Sequence, residues 1–437
     1  MNHYKETIRL GVPIMLGQLG IIIVGFADNI MVGHHSTQEL AAASFVNNFF
    51  NLAFIFGMGF SYGLTPIVGR LFAQKQYAEV GATLKNSLAI NFIVGILLSL
   101  CMLFLLFNLD WLNQPKELYP YIIPYYILQL FSVVFTMLFN SFKQFSDGTT
   151  DTLTPMYVML SANVLNIVGN YFLIYGHGGF PELGLTGAGI STLFSRILTL
   201  VAFYWLFCKR KKYTEYLRGF RQSVVNRESI RNLVRLGLPV GFQMGVETGS
   251  FSLSVIMMGW IGSTALAAYQ VGGVVTTLGF MLYYGIGAAV SIRVSNFNGS
   301  RNNQEIRKAA QAGFVIINTF ALLFIAFLLL FRTRIGYLFT PEEEVVKLVA
   351  LFGDGLQILF ANALRGLTDV KYMAKMALVC HFGLALPIGY ICGFILHLGA
   401  LGVWFGFPVS LTTLGLCLGR RFLLLTRSQP NKTTETL

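Results

Sequence analysis

Charge is scarce in this chain. Of 437 residues only 11% are Asp, Glu, Lys or Arg, and 19 acids stand against 31 bases. A soluble domain carries roughly 25% charged residues, which excludes a polar shell over most of the length. The five cysteines (Cys101, Cys208, Cys380, Cys392, Cys417) fall in or at the ends of apolar runs without paired spacing. Neither a disulfide framework nor a zinc site is indicated. The six histidines are scattered, and His381 alone lies inside an apolar run, where a packed or locally bonded ring is expected. Neither HExxH nor a GxSxG elbow occurs. Gly184 to Ser191 has the glycine spacing of a phosphate loop but lacks its lysine. It also opens an apolar run, so no ATP-driven pump is read from it. With no nucleophile, metal or cofactor constellation, the chain is not expected to be an enzyme, and no cofactor is expected.

Apolar residues fill the space instead, at 55%. Runs long enough for a bilayer, about 20 residues each, recur at 8–32, 40–71, 83–107, 117–145, 152–175, 184–208, 231–259, 266–295, 306–331, 343–365, 371–396 and 399–425. The fold class predicted is an all-α polytopic membrane protein of twelve transmembrane helices. The first run holds Pro13 and Asp28 and lacks a small-residue cleavage site after a short apolar core, so a membrane helix is expected rather than a removed leader.

The net charge of +12 sits in the breaks between runs. Lys209 to Arg235 carries nine Lys/Arg, and Arg70, Lys75, Lys143, Arg301, Arg307, Lys308, Arg420 and Arg421 fall on the same side. The opposite breaks hold chiefly Lys116, Arg332 and Arg334, with Glu342, Glu343 and Glu344. Positive-inside topology explains the bias better than nucleic acid, which is not expected as a partner. Both termini are expected in the cytoplasm, the chain multi-pass in the inner membrane, the lipid bilayer its surroundings and a monomer its state.

The chain repeats itself. Arg9-Leu10-Gly11-Val12-Pro13 returns as Arg235-Leu236-Gly237-Leu238-Pro239, a shift of 226 that also carries Gly33 to Gly259, Leu40-Ala41-Ala42 to Leu266-Ala267-Ala268, Gly59 to Gly285 and Val68 to Val294. Six crossings bring a chain back to its starting side, so two pseudo-symmetric six-helix bundles of like orientation are predicted. They comprise an N-lobe over 1–208, a basic cytoplasmic linker over 209–230 and a C-lobe over 231–437. Parallel repeats of this kind suit alternating access.

Acids within apolar helices carry the chemistry, because a charge at mid-bilayer costs at least ~2.5–3.5 kcal/mol. Asp28, Glu247 and Asp354 qualify. Gln243, Glu247, Ser250 and Ser254 share one helical stripe. Gly237, Gly241, Gly245 and Gly249, at spacing four, form a ridge on the opposite face suited to close packing. Asp354 shares a face with Gln357 and, further along, Arg365. Glu247 and Asp354 together form a candidate site for a proton or for a hard cation such as Na+. Asp28 is matched with Asn163, Asn166 and Asn170, which lie on one face of the fifth helix, as a proton or substrate site or as interhelical glue. Arg196, inside the sixth run, is left between neutralising an acid and reaching the interface. Most of the 39 phenylalanines are expected to face lipid or pack. A few could line a cavity for flat organic cations.

These residues resemble the multidrug and toxic compound extrusion (MATE) family in its NorM-like branch. The resemblance rests on Leu10-Gly11-Val12-Pro13, Asp28 within ADNIMVGH, LGLPVGFQMGVET around Glu247, LAAYQV from Leu266, GAAVSIRV from Gly287, and DGLQILFANALRGLTD from Asp354 to Asp369. It spans nearly the whole chain. It implies two six-helix lobes and export of cationic, amphipathic small molecules against sodium ions or protons. Glu247 and Asp354 then match a C-lobe cation site, supported by Gln243 and Gln357, and Asp28, Asn166 and Asn170 match an N-lobe polar cluster. Where other branches carry an aspartate this chain has Asn170, which favours coupling through the C-lobe. A lipid-linked oligosaccharide flippase of the same superfamily is the alternative, disfavoured by intramembrane charges that read as mainly acidic.

Overall fold

The computed structural model describes residues 2–112, 115–335 and 356–426. Their helices are α1 (His3–His35), α2 (Thr37–Ser61), α3 (Leu64–Ala73), α4 (Tyr77–Phe107), α5 (Tyr119–Gly148), α6 (Leu153–Tyr175), α7 (Gly184–Lys209), α8 (Thr214–Gln222), α9 (Arg227–Ile261), α10 (Ser263–Gly299), α11 (Asn303–Ile335), α12 (Leu356–Gly366), α13 (Val370–Cys380), α14 (Leu386–Tyr390) and α15 (Gly399–Thr426). Two π-helical segments, His381–Ala385 and Ile391–Ile395, flank α14. Among the described residues no strand occurs, and nine helical stretches are long and apolar enough to cross a bilayer. The chain is an all-α, multi-pass membrane protein. α2 and α3 form one of those stretches, Thr37–Ala73, interrupted by a loosened turn at Tyr62–Gly63.

Turn geometry makes the repeat visible in three dimensions. α3 ends with Lys75 at φ 60° and α10 with Arg301 at φ 54°, again 226 residues apart. In both, the residue after the left-handed position bonds back five residues: Gln76 N–H to Leu71 O and Asn302 N–H to Phe297 O, each at 3.0 Å. A second pair of turns holds Thr150 and Thr368, both at φ 65°, now 218 apart. Asp151 N–H bonds Ser146 O at 2.9 Å, and Asp369 N–H bonds Leu364 O at 3.0 Å. These are Schellman closures with a side-chain-bearing residue in the position glycine usually takes. Each aspartate then holds a base from a later segment: Asp151 pairs with Lys212, and Asp369 with Arg421 at 2.7 Å.

Packing groups the chain differently from the repeat. One compact unit is Leu16–Gly241; the other is Met1–Met15 with Phe242–Leu437. The first turns of α1 thus pack with the second unit, and those of α9 with the first. Both exchanges run through close backbone approach. A Cβ at Gly11 would lie 2.8 Å from Ile286 Cδ1 and 3.1 Å from Gly285 O. At Gly237 it would overlap the Phe60 carbonyl, and at Gly241 it would lie 2.9 Å from Phe56 O. The expected glycine ridge on α9 therefore packs tightly at its first two members. At Gly249 a Cβ would meet only the Phe382 ring edge at 4.0 Å.

The segment expected as a polar linker is built into the first unit. α8 crosses α4 where Gly219 meets Ala78 and Gly81 meets Tyr216. Beneath it an aromatic cluster joins α5 and α7: Phe142–Phe203 at 5.4 Å, Phe145–Phe207 at 5.6 Å and Phe145–Tyr216 at 5.4 Å between centroids. Several phenylalanines thus form a buried core, and the basic sequence above them hides its amphipathic helix behind its charges. Burial opposes ionisation of Asp151, but hydrogen bonds from Lys212 and Tyr213 outweigh it and hold the carboxyl below its ordinary 3.8. Burial, and then the nearby Asp151 charge, pushes the Tyr213 hydroxyl up.

Two outcomes follow from this packing. Gly237→Val should destabilise the purified protein by about 1–3 kcal/mol through overpacking, read as a lower melting temperature in detergent. Gly259→Ala, where a Cβ meets nothing within 4 Å, should leave it unchanged. Asp151→Asn should weaken hydrogen bonds to a charged group worth about 1.5–3 kcal/mol. Because the folded carboxyl titrates below 3.8, that stabilisation is complete above this pH and is lost as pH falls through the lower folded value. The melting-temperature gap between wild type and variant should be full at neutral pH and close in strong acid.

Candidate functional site

In the first unit the polar residues converge. Asn170 Nδ2 donates to Asp28 Oδ1 at 2.5 Å, joining α6 to α1. With its amide turned, Asn166 donates to the same oxygen at 3.1 Å and accepts the Thr192 N–H at 3.2 Å, which satisfies both ends of the amide. Ser191 Oγ donates to the Asn166 carbonyl at 2.9 Å, bringing α7 into the cluster. The helical spacing explains the convergence: Asn166 and Asn170 are one turn apart and both buried. The amide of Asn163 faces Gly20 of α1, whose missing side chain makes room for it.

Arg196 of α7 extends this cluster. It donates from Nη1 to Gln129 Oε1 at 3.1 Å and to Ser132 Oγ, and its guanidinium lies 4.4 Å above the Phe54 ring. Gln129 in turn donates to Tyr125 Oη at 3.0 Å, and Tyr125 donates to Asn47 Oδ1 at 3.1 Å. Arg196 is within electrostatic reach of Asp28. The charge that the sequence left undecided points inward, held by an amide and a hydroxyl of α5 and by a ring of α2.

In the second unit Gln243 Nε2 donates to Glu247 Oε2 at 3.0 Å. Gln243, Ser250 and Ser254 are buried, and Glu247 is half-buried. The two serines turn back onto their own helix: Ser250 Oγ donates to the Glu247 carbonyl at 2.8 Å, and Ser254 Oγ to the Ser250 carbonyl at 3.1 Å. The stripe expected to line a wet interior is therefore largely closed by backbone bonds. Asp354 lies outside the described residues, and so does the side chain of Gln357, whose backbone opens α12. Arg365 is buried and donates to Asn362 Oδ1 at 3.2 Å.

Several buried charges were not singled out from the sequence. Lys143 and Asp147 form an ion pair at 3.0 Å, one turn apart on α5. Glu39 takes the Leu185 N–H at 2.9 Å, capping the start of α7, and meets His35 Nδ1 at 2.9 Å. Arg293 donates to His3 O at 2.8 Å and Thr7 Oγ1 at 2.7 Å. The fully buried charged residues described thus include three bases, Lys143, Arg293 and Arg365, so buried charge is not mainly acidic. Each base sits near a helix end or carries a polar partner, and a charge near a helix end looks unremarkable in sequence.

A single family pattern matches this chain twice, over residues 13–172 and 239–391. The chain belongs to the MatE family. The two matches begin at Pro13 and Pro239, 226 residues apart, so MatE membership and the internal repeat are one observation. "Multidrug resistance protein NorM" of Vibrio cholerae is 29% identical over 445 residues, covering 97% of each chain. "Probable multidrug resistance protein NorM" of Bradyrhizobium diazoefficiens is 28% identical over 98% of this chain and 94% of its own. Among solved structures, a multidrug resistance MATE family transporter in an outward-facing conformation superposes with TM-score 0.85 at 21% identity, covering 98% of this chain and 96% of the other. That likeness confirms the MatE fold.

The Asp28 cluster yields a double-variant test. Asn170→Leu should cost about 1.5–3 kcal/mol, the range for a hydrogen bond to a charged group. Combined with Asp28→Asn the loss should be clearly smaller than the sum of the single losses. Melting temperatures of the four proteins measure the coupling, and strict additivity would dissolve the pair.

Proposed function

We propose that the chain is a secondary active multidrug exporter of the inner membrane. It antiports cationic, amphipathic small molecules against sodium ions or protons by alternating access. The observation that carries this reading is Glu247, an acid inside the long helix α9, half-buried and held by Gln243 at 3.0 Å. An ionisable acid in the apolar interior is read first as part of an ion or substrate pathway, and a proton, a sodium ion or a cationic drug can each neutralise it. Competition among them for the same negative charge makes binding of one weaken the other, and such coupling is reciprocal in free energy. The names of the NorM relatives supply the substrate class, and MatE membership the architecture.

Glu247 and Asp354 are the proposed coupling pair, with Gln243 and Gln357 in support. Asp28, Asn166 and Asn170 form a second polar cluster for proton or substrate. The basic breaks support a cytoplasmic side for both termini and for α8, with a monomer as the working unit. The alternative remains a lipid-linked oligosaccharide flippase, which requires cations free to hold pyrophosphate. Lys143, Arg196 and Arg293 each engage partners within their own unit, which supports the exporter.

The test is efflux from liposomes. A fluorescent organic cation should leave faster when a sodium or a proton gradient is imposed, each tried separately. Glu247→Gln and Asp354→Asn should reach the membrane yet lose that stimulation and confer no drug resistance in an efflux-deficient host. Stimulation of the wild type by neither gradient counts against antiport, and wild-type resistance in Asp354→Asn removes that residue from the mechanism.

A further inference from the structure

His381 is fully buried within a membrane-crossing helix, at the start of the π-helical segment His381–Ala385. Pro387, just beyond, has no N–H for the carbonyl one turn earlier. The chain takes up the extra residue in a widened turn, closed by the Leu386 N–H on the His381 carbonyl. Single π turns inside α-helices cluster at functional sites. The ring meets the Glu247 stripe: His381 Nδ1 lies 3.4 Å from Ser250 Oγ.

That contact favours one tautomer. Ser250 already gives its only proton to the Glu247 carbonyl at 2.8 Å, so its oxygen can only accept, and Nδ1 must carry the hydrogen. Nε2 is left as a lone-pair acceptor. It is buried, and among the described residues it has no hydrogen-bond partner. The titratable groups on the elements around it are Glu247 on α9, Cys380 at the end of α13 and Cys417 on α15. A packed ring serving only structure would be expected to fill both nitrogens or to be replaced by an apolar ring. A bare, buried acceptor on a ring that meets the same helical stripe as the half-buried Glu247 is an incomplete site for a proton.

The repeat supports the position. The offset of 218 that carries Thr150 onto Thr368 also carries Asn163 onto His381. Asn163 opens the asparagine face of α6, and its Nδ2 is likewise buried without a partner among the described residues. Corresponding places on corresponding helices thus hold an incompletely bonded nitrogen, an amide donor in one copy and an imidazole acceptor in the other. Only the imidazole can gain and lose a proton near neutrality.

We propose that His381 is a proton-carrying residue of the second unit, acting beside Glu247 in the transport cycle. Nε2 accepts one proton and becomes part of an imidazolium, while Nδ1–H stays on Ser250 Oγ. The ring returns to neutral when that proton is released, and no other bond changes. The proposal rests on the antiport reading above and adds one proton to what the second unit moves.

The experiment counts protons against drug in proteoliposomes, with a pH-sensitive dye and a fluorescent organic cation followed together. His381→Gln should fall by about tenfold or more in proton-driven efflux and move one proton fewer per cation, while binding the cation and eluting as a folded species like wild type. His381→Gln with an unchanged proton-to-cation ratio and pH profile overturns the proposal. A wild type that neither gradient drives defeats antiport itself, a separate failure. Should His381→Gln not fold, histidine side-chain NMR of the wild type decides. A buried imidazole that changes protonation between about pH 5 and 8 or on adding drug supports the proposal, and one locked in a single state overturns it.

Discussion

A polar or charged group inside a membrane helix has no water to share it, so its partners dictate which helices stand together. In the first unit that requirement organises the interior. Asp28 needs donors, and Asn170 and Asn166 provide them only if α6 presents one face to α1. Asn166 then needs Ser191 and Thr192, which draws in α7. From α7 Arg196 reaches α5, and its charge is absorbed by Gln129, Ser132 and the Phe54 ring. Five helices, α1, α6, α7, α5 and α2, are tied by one sequence of obligations that begins with a carboxylate. The glycines serve the same end by a different route, since Gly11 and Gly237 let backbones approach closely enough that the first turns of α1 and α9 find their neighbours.

The skeleton repeats more faithfully than the chemistry. The turns after α3 and α10, and those before α6 and α13, match bond for bond. The acids do not. Under the 226 shift Asp28 corresponds to Ser254, and Glu247 corresponds to Ile21. The two carboxylates therefore occupy levels seven residues apart on equivalent helices, about 10 Å at 1.5 Å per residue. α6 remains regular from Leu153 to Tyr175, whereas its counterpart is broken into two π segments around Pro387. A duplicated scaffold has taken different functional residues in its halves, which is physically easy because turn closure and intramembrane polarity use different positions.

The helices were legible because an apolar run of bilayer length has few other uses, and expected boundaries fall close to observed ones such as Tyr77–Phe107 and Gly399–Thr426, whereas most of the expected run 343–365 lies outside the described residues. The pairing of Asp28 with the α6 asparagines was legible for a related reason: isolated polar residues in apolar helices must find each other. Three things were not. The α8 helix was masked by basic residues that read as a linker, although its Tyr216 is buried and its Phe220 half-buried. The Lys143–Asp147 pair and the Glu39 cap lie near helix ends, where a charge needs no explanation. The exchange of α1 and α9 between units depends on backbone distance, which glycine permits but does not announce.

Two protonatable groups in one unit change the energetics of exchange, not only its stoichiometry. If the acids return a single positive charge for each monovalent cation exported, the cycle is indifferent to membrane potential. If His381 returns protonated as well, one net charge crosses per cycle, worth ~2.3 kcal/mol per 100 mV. That is more than a tenfold gain in the concentration ratio the exporter can sustain. An inward-negative potential would then drive export even where the proton gradient is small. The arrangement asks little of the scaffold, because Ser250 and the π turn already hold the imidazole in one tautomer, and charging Nε2 requires no rearrangement of the bond on Nδ1.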